Sequence, residues 1–575
     1  MADGPFPDAY WGSGPTSSLD GGGGPLAYLN AEERAGAMLA GKPSFTIDRA
    51  ALQMTGFDPA TLQPYPGWGG VTGHAFTVTY AYRSTAPATM PSDTAGFQRF
   101  NTQQIAQTEQ ALTAWSDVAN IHFQRVGAGA SGELAYSNKA AILFANYSSG
   151  EDDAAAFSYF PGSTLAASSA GDVWINITAG TNAFPNLGNY GAQVLIHEIG
   201  HAIGLDHPGA YNAGDSLSDI TYANGAEYYE DSRQYTVMSY FSETNTGAAY
   251  FGRYASAPQL DDIRAAQIEY GANMTTRTGD TTYGFHANAG RAWFEASSSS
   301  SRLIFAVWDA GGRDTFDFSG YSQDQKIDLG EGHFSDVGGL IGNVAVAQGA
   351  QIENAIGGFG SDSIAGNALA NVLSGGAGND TIEGLAGNDT IDGGPGRSYL
   401  RGGEGNDSIV GGAGFDDING NQGDDTCVSG GGDDWVVGGK GDDSLVGSAG
   451  TNIVYGNIGN DTCDGGAGND TVRGGQDNDV IYGGAGDDFV SGDRGDDTVT
   501  GGAGADLFHT FGAAGIDRVL DFNVAEGDRV LLDPGTQYTV AQVGADTVIS
   551  MTGGGQMILV GVQSSALPAG WIFGA

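Results

Sequence analysis

Three of the eight histidines in this 575-residue chain fall within eleven residues, in the stretch VLIHEIGHAIGLDHPG from Val194 to Gly209. On a helix, His197 and His201 lie four residues apart and project from one face. Two imidazoles so placed can grip one Zn2+. Glu198 stands beside them, a candidate general base for a water held at the metal. Gly204 lets the backbone leave the helix sharply and swing His207 back as a third ligand. Three protein ligands leave one position open, the arrangement of a catalytic zinc rather than a structural one.

These side chains need a particular scaffold. The segment GAQVLIHEIGHAIGL carries apolar residues at helical spacing, and no proline interrupts before Pro208. The pattern from His197 to His207 resembles that of the metzincin metalloproteases, whose second element is a tight methionine turn beneath the metal. Here QYTVMSYFSETNTG supplies Met238, 31 residues past His207, with Tyr240 two residues on. The resemblance gives Met238 a structural role. It implies Tyr240 as a zinc ligand that swings away to stabilise the oxyanion, and Glu198 as the group that takes and returns the proton. The proline after the third histidine, the stretch HPGAYNAG and the repeats described next narrow the resemblance to the serralysins, the branch linked to RTX repeats. Asp206 reads as a surface or supporting group. The stretch AAAFSYFPG from Ala154 precedes a candidate strand, DVWINI. It reads either as an edge strand that pairs with a substrate backbone or as an ordinary sheet strand.

From Gly357 to His509 the chain divides into 17 consecutive nonapeptides without an insertion. The sixth position is Asp in 14 of them, the exceptions being Asn371, Ser398 and Asn452, and the eighth is apolar from Ile364 to Phe508. The glycines permit the positive φ of a tight loop, and the aspartates add the oxygen ligands that hard Ca2+ prefers. The short strand that follows points one apolar residue inward. A single nucleotide-binding glycine loop cannot explain so many copies. The pattern resembles the RTX repeat, which forms a parallel β-roll with calcium between successive turns, two nonads to a turn.

By that resemblance the first calcium ligands of the roll are Gly358, Gly360, Asp362, Asn371, Gly376, Gly378 and Asp380. The columns continue through Asp389, Asp407, Asp416, Asp425, Asp434, Asp443, Asp461, Asp470, Asp479, Asp488, Asp497 and Asp506. Upstream, LDDIRAAQIEYGANMTTRTGDTTYGF and WDAGGRDTFDFSGYSQDQKIDL resemble the serralysin domain join and its first calcium-binding strands. By the same likeness Arg277, Gly279 and Thr281 face Asp309, Gly311, Gly312 and Asp314 around one calcium, with Arg277 contributing its carbonyl. Glu353 serves a later site.

The net charge of −46 repels nucleic-acid phosphates and anionic membrane surfaces, so neither is expected as a partner. No apolar stretch is long enough to span a membrane, and no cleavable N-terminal signal is visible. The RTX resemblance implies another route: a type I exporter reading an uncleaved C-terminal signal, with folding completed in extracellular calcium. The end LPAGWIFGA lacks the acidic residue plus hydrophobic triplet usual in such signals. Cys427 and Cys463 hold inward eighth positions 36 residues apart, two turns along one sheet. At about 9.6 Å they are too far apart for a disulfide and read as free, buried thiols.

The expected fold is an α+β metzincin catalytic domain followed by an all-β parallel β-roll of RTX repeats and a β-rich C-terminal cap. Residues 1–40 read as an N-terminal extension or propeptide, in which PLAYLNAEERAGAMLAG suggests a short helix. The stretch GKPSFTIDRAA resembles the start of a mature serralysin and opens a catalytic domain over 41–275. A calcium-binding connecting segment spans 276–356, the roll 357–509, and a cap with the export signal 510–575. The implied function is a secreted, monomeric zinc endopeptidase of broad specificity, stabilised by several Ca2+ and acting on proteins or peptides. A rival reading is an RTX surface or adhesive protein with a silent protease module. Such a module would be expected to have lost Glu198 or a histidine, and all remain.

Overall fold

The computed structural model describes residues 27–36, 38–56, 63–91, 94–127, 133–150, 154–161, 171–211 and 220–574. They fall in two compact units that divide after Asn367.

In the first unit, five strands form a sheet: β1 (Phe76–Tyr82), β2 (Ile121–Arg125), β3 (Ile142–Tyr147), β4 (Ala156–Ser158) and β5 (Val173–Asn176), in the order β2-β1-β3-β5-β4. All pairings are parallel except that of β4, an antiparallel edge strand. Every residue of β3 and β5 is buried, as expected for parallel strands covered on both faces. Four longer helices pack with the sheet: α1 (Ile47–Met54), α2 (Thr102–Val118), α3 (Tyr190–Ile203) and α4 (Leu260–Tyr270). Asn101 and Gln104 close a capping box at the start of α2, and Asn189 accepts the Ala192 N–H at the start of α3. The Trp115 indole of α2 donates to the Ile196 carbonyl of α3 at 3.1 Å, fixing one helix against the other. Beyond α4, short parallel strands at 282–284, 315–317 and 354–356 pair in register, and 326–328 pairs with 363–365.

The segment before α1 departs from expectation. In place of a helix, it forms a single 3-10 turn, Ala31–Glu33, after which Ala35 and Gly36 take φ of 104° and 79°. The chain is held as a strap by side chains instead. Arg34 donates to both carboxylate oxygens of Asp261, at 2.8 and 2.9 Å, and to the Phe45 carbonyl. The Leu29 N–H donates to the Tyr235 hydroxyl at 2.7 Å, and the Tyr28 hydroxyl to Asp336. A guanidinium with no solvent exposure, paired on two sides, outweighs the helix preference of so short a piece.

The second unit is a solenoid. Its two sheets are parallel, and each strand pairs with the one 18 residues on, as in Thr390↔Ser408 and Tyr399↔Asp417. One turn is therefore two nonads. The eighth-position side chains between Leu373 and Phe508 are at most 2% exposed and form the core. Cys427 and Cys463 lie in one sheet with Leu445 between them, both buried and free. The sheets run on past Phe508 through 516–519 and 529–532, and an antiparallel set at 538–543, 546–551 and 556–559 follows.

Candidate active site

The buried helix α3 ends in a Schellman arrangement. Gly204 takes φ 117°, its N–H donates to the His201 carbonyl, and the Leu205 N–H reaches back to Gly200. That reversal returns His207 toward the helix. Its Nε2 lies 3.1 Å from that of His201 and 3.3 Å from that of His197. The other ring nitrogens are anchored: His197 Nδ1 on the Val237 carbonyl at 2.8 Å and His201 Nδ1 on the Leu205 carbonyl at 2.7 Å. A carbonyl can only accept, so each Nδ1 carries the proton and each Nε2 presents a lone pair. Burial pushes His197 down to about 3, helped by His201, and His201 down to about 4, so both rings are neutral. Three ring nitrogens converging in a buried site suit a cation. Ligands about 2.1 Å from a tetrahedral zinc stand roughly 3.4 Å apart, which these separations match.

The floor of the site is the turn at Met238. Its preceding carbonyl anchors His197, and the turn hangs from α4: Asp262 accepts the Thr236 hydroxyl at 2.6 Å and the Val237 N–H at 2.8 Å. Met238 is fully buried against Gly200, where an added Cβ would come within 2.5 Å of its sulfur. The glycine inside HEIGH thus lets the turn rise against the helix. Tyr240 closes over the histidines, its ring centroid 4.5 Å from that of His207 and 5.8 Å from that of His197. Tyr211 stacks on His207 and donates to buried Asp231, which also accepts the Ser239 hydroxyl. Asp206 is exposed and caps the His207 N–H.

Glu198 points into the cleft with one carboxylate oxygen buried and without a hydrogen-bond partner. Burial pushes its carboxyl up to about 8, against the pull of Ser158 on the edge strand β4. Ala154 and Ala156 line the same cleft, so the stretch from Ala154 forms an edge beside the base.

The other acidic residues separate into two groups. Around 277–314, the Thr281 N–H donates to Asp314, Gly312 packs on Gly279, and Glu353 accepts the Asp314 N–H. The Gly311 N–H donates to Asp309. Arg277 adopts φ 48° and turns its side chain to Asp117 and the Trp308 carbonyl. At the first repeats, Asp362 accepts the Gln325 and Gly358 N–H groups, and Gly360 packs on Gln323.

In the solenoid the sixth-position residues form two ladders. One Asp Oδ1 accepts the N–H of its counterpart 18 residues earlier, from Asn371→Asp389 to Asp479→Asp497 and from Ser398→Asp416 to Asp488→Asp506. The remaining Oδ2 of every aspartate from Asp389 to Asp506 in these ladders is buried without a partner. Asp380 Oδ2 packs on Gly375, and Gly376 and Gly378 take φ of 92° and 142°. Columns of buried carboxylate oxygens are a donor set for hard cations. The Asp488 column also takes in Asp528, which accepts the Asp506 N–H, and Asp517 packs by Asp497. These two lie outside the nine-residue frame, at intervals of 22 and 20.

Long-range partners carry most of what the motif spacing does not contain: Trp115, Asp231, Asp262 and Arg233. Only Asp262 stood in a stretch singled out from sequence, and no spacing tied it to the histidines.

Two family models match the chain: Matrixin over residues 89–224, and Peptidase M10 serralysin C terminal over 272–530. Metallopeptidase AprA of Pseudomonas marginalis is 47% identical over 337 residues, 58% of this chain and 68% of its own. Metalloprotease AprA of Pseudomonas entomophila is 45% identical over 355 residues, 60% of this chain and 69% of its own. Serralysin C of Dickeya chrysanthemi is 46% identical over 332 residues, 57% and 65% of the two chains.

Proposed function

This chain belongs to the serralysin family of metalloproteases, and from that premise we propose that it cleaves peptide bonds with one Zn2+ held by His197, His201 and His207. It is a zinc endopeptidase acting on protein substrates. The observation that carries the residue assignment is the convergence of three Nε2 atoms, 3.1 and 3.3 Å apart, beside a buried carboxylate. Bound zinc supplies Lewis acidity, lowering the pKa of water and polarising the scissile carbonyl. Glu198 is ionised when a dication lies among the histidines, since the nearby charge favours the carboxylate against burial. It then accepts a proton from the attacking water and hands it to the leaving amine. Tyr240, poised over the histidines, donates its phenol to the developing oxyanion and can turn back toward the metal in the resting enzyme. Met238 and the turn hung from Asp262 hold the site in shape. The substrate backbone pairs along β4, the edge strand of the sheet among the described residues, and this tolerates many side chains.

We read the carboxylate ladders and the cluster at Arg277, Gly279, Thr281, Asp309, Gly311, Gly312, Asp314 and Glu353 as Ca2+ sites, and the roll as folding when calcium fills them. That coupling suits export through a type I exporter, followed by folding outside the cell as a monomer. The division at 41–275, 276–356, 357–509 and 510–575 follows the change from catalytic residues to repeats. Within residues 1–40 we favour a permanent place for the segment 27–36, because Arg34 neutralises two buried carboxylates of the catalytic part.

Hydrolysis of quenched fluorescent casein by calcium-loaded protein, beside Glu198→Ala at matched zinc content, tests this reading. Loss of about 100-fold or more in the variant is expected for a missing general base. A variant as active as the parent removes Glu198 from the mechanism.

A further inference from the structure

The cleft that holds His197, Glu198 and Tyr240 is a cavity of about 280 Å3 that runs along α3. Val194, Ile220 and Phe241 supply apolar walls, while Tyr190, Gln193 and Arg233 add polar groups. Two of those groups are unmatched. Arg233 Nε and Gln193 Oε1 are both buried and have no hydrogen-bond partner. Apart from Glu198, Arg233 is the only charged residue among the described residues that line the cavity.

Arg233 is nevertheless firmly placed. Its backbone N–H donates to the Phe241 carbonyl at 3.0 Å, and its guanidinium lies 5.2 Å over the Tyr254 ring. Glu243 approaches Nη2 only to 3.8 Å, beyond hydrogen-bond reach. That contact leaves the Nε–H donor unused. Gln193 stands one helical turn before His197, so it faces the same cleft. A buried donor and acceptor with nothing opposite are costly, and a substrate group that meets both relieves that cost.

The position fixes which substrate residue enters. Glu198 returns its proton to the leaving amine, so the cavity on its side receives the side chain of the residue that keeps that amine. An aliphatic side chain would fill the volume and leave Arg233 Nε desolvated. A side-chain carbonyl or carboxylate oxygen accepts from it, and a carboxamide also offers an N–H to Gln193 Oε1.

We propose that Arg233 makes this subsite select, in the residue just after the scissile bond, a side chain ending in a carboxamide or carboxylate, with Gln193 as its second polar contact. The inference rests on the zinc-endopeptidase reading above. It is tested on the full chain, loaded with zinc and calcium, with quenched peptides identical except for Gln, Glu, Met or Leu at that residue. The expected kcat/KM for Gln and Glu is about tenfold or more above Met and Leu, the scale of one hydrogen bond to a charged donor. In Arg233→Met that ratio falls to near one, and a ratio does not depend on how much of the variant folds. Gln193→Leu removes the acceptor that meets a carboxamide N–H, so it should lower the Gln peptide relative to Glu; an unchanged ratio removes Gln193 from the subsite. Met and Leu cleaved as well as Gln and Glu by the parent, or an unchanged ratio in Arg233→Met, overturns the inference while the protease reading stands. A parent that cleaves neither these peptides nor casein overturns that reading itself.

Discussion

Arg34 is wholly withdrawn from solvent and Arg233 only at its Nε, and their surroundings give them different work. Every polar edge of Arg34 is used, by Asp261, by the Phe45 carbonyl and by nearby Glu230. Arg233 keeps a donor without an acceptor beside the catalytic carboxylate. The first pattern is that of a structural ion pair, the second that of a group awaiting a ligand. Arg34→Met leaves Asp261 and Glu230 buried without their cation, and should cost about 3–5 kcal/mol in denaturant unfolding of the catalytic part. Burial already pushes Asp261 up to about 6 against the pull of Arg34. Without that pull it titrates higher, so the loss should be smaller at pH 5, where a neutral carboxyl is tolerated, than at pH 8. An unfolding midpoint equal to the parent's at pH 8 would show that the strap holds nothing.

At the scale of elements, the site was legible where its geometry is local. The spacing of His197, His201 and His207 is a helix followed by one tight reversal, and both are decided within eleven residues. The nine-residue period likewise contains its own turn and strand, so the inward positions of Cys427 and Cys463 follow from the sequence alone. What was not legible depends on contacts distant in sequence. Asp262 carries the Met238 turn from 24 residues away, and Tyr211 braces His207 through Asp231. Arg233 reaches the cleft only because the segment folds back on Phe241. The N-terminal segment carries helix-forming Ala and Glu residues, and the buried Arg34 pair overrules them. Asp517 and Asp528 escaped because intervals of 20 and 22 break the repeat frame, although each stands two residues before a buried valine, Val519 and Val530, as the repeat aspartates stand before their inward residue.

For the whole molecule, the ladders account for part of the charge of −46. Burial, with neighbouring aspartates, pushes Asp479 up to about 8, Asp425, Asp443 and Asp488 to about 7, and Asp416 and Asp461 to about 6. These folded values exceed the unfolded value of 3.8. The calcium-free roll therefore binds more protons than its unfolded chain between about pH 4 and 8, and its stability falls as pH rises through that window. Calcium-stripped protein should retain less folded roll, by circular dichroism, at pH 8 than at pH 5. In millimolar calcium the trend should weaken or reverse, since protons then compete with the ion. A calcium-free roll that gains stability toward pH 8 would contradict this account of the carboxylates. The central claim is narrower: three histidines hold one catalytic zinc. Its most direct test is stepwise return of zinc to chelated, calcium-replete protein while casein hydrolysis is followed. Activity should rise linearly and stop at one zinc per chain, with His201→Ala showing neither tight zinc nor activity. Full activity with less than a tenth of an equivalent of metal, or an inert protein at one bound zinc, would contradict it.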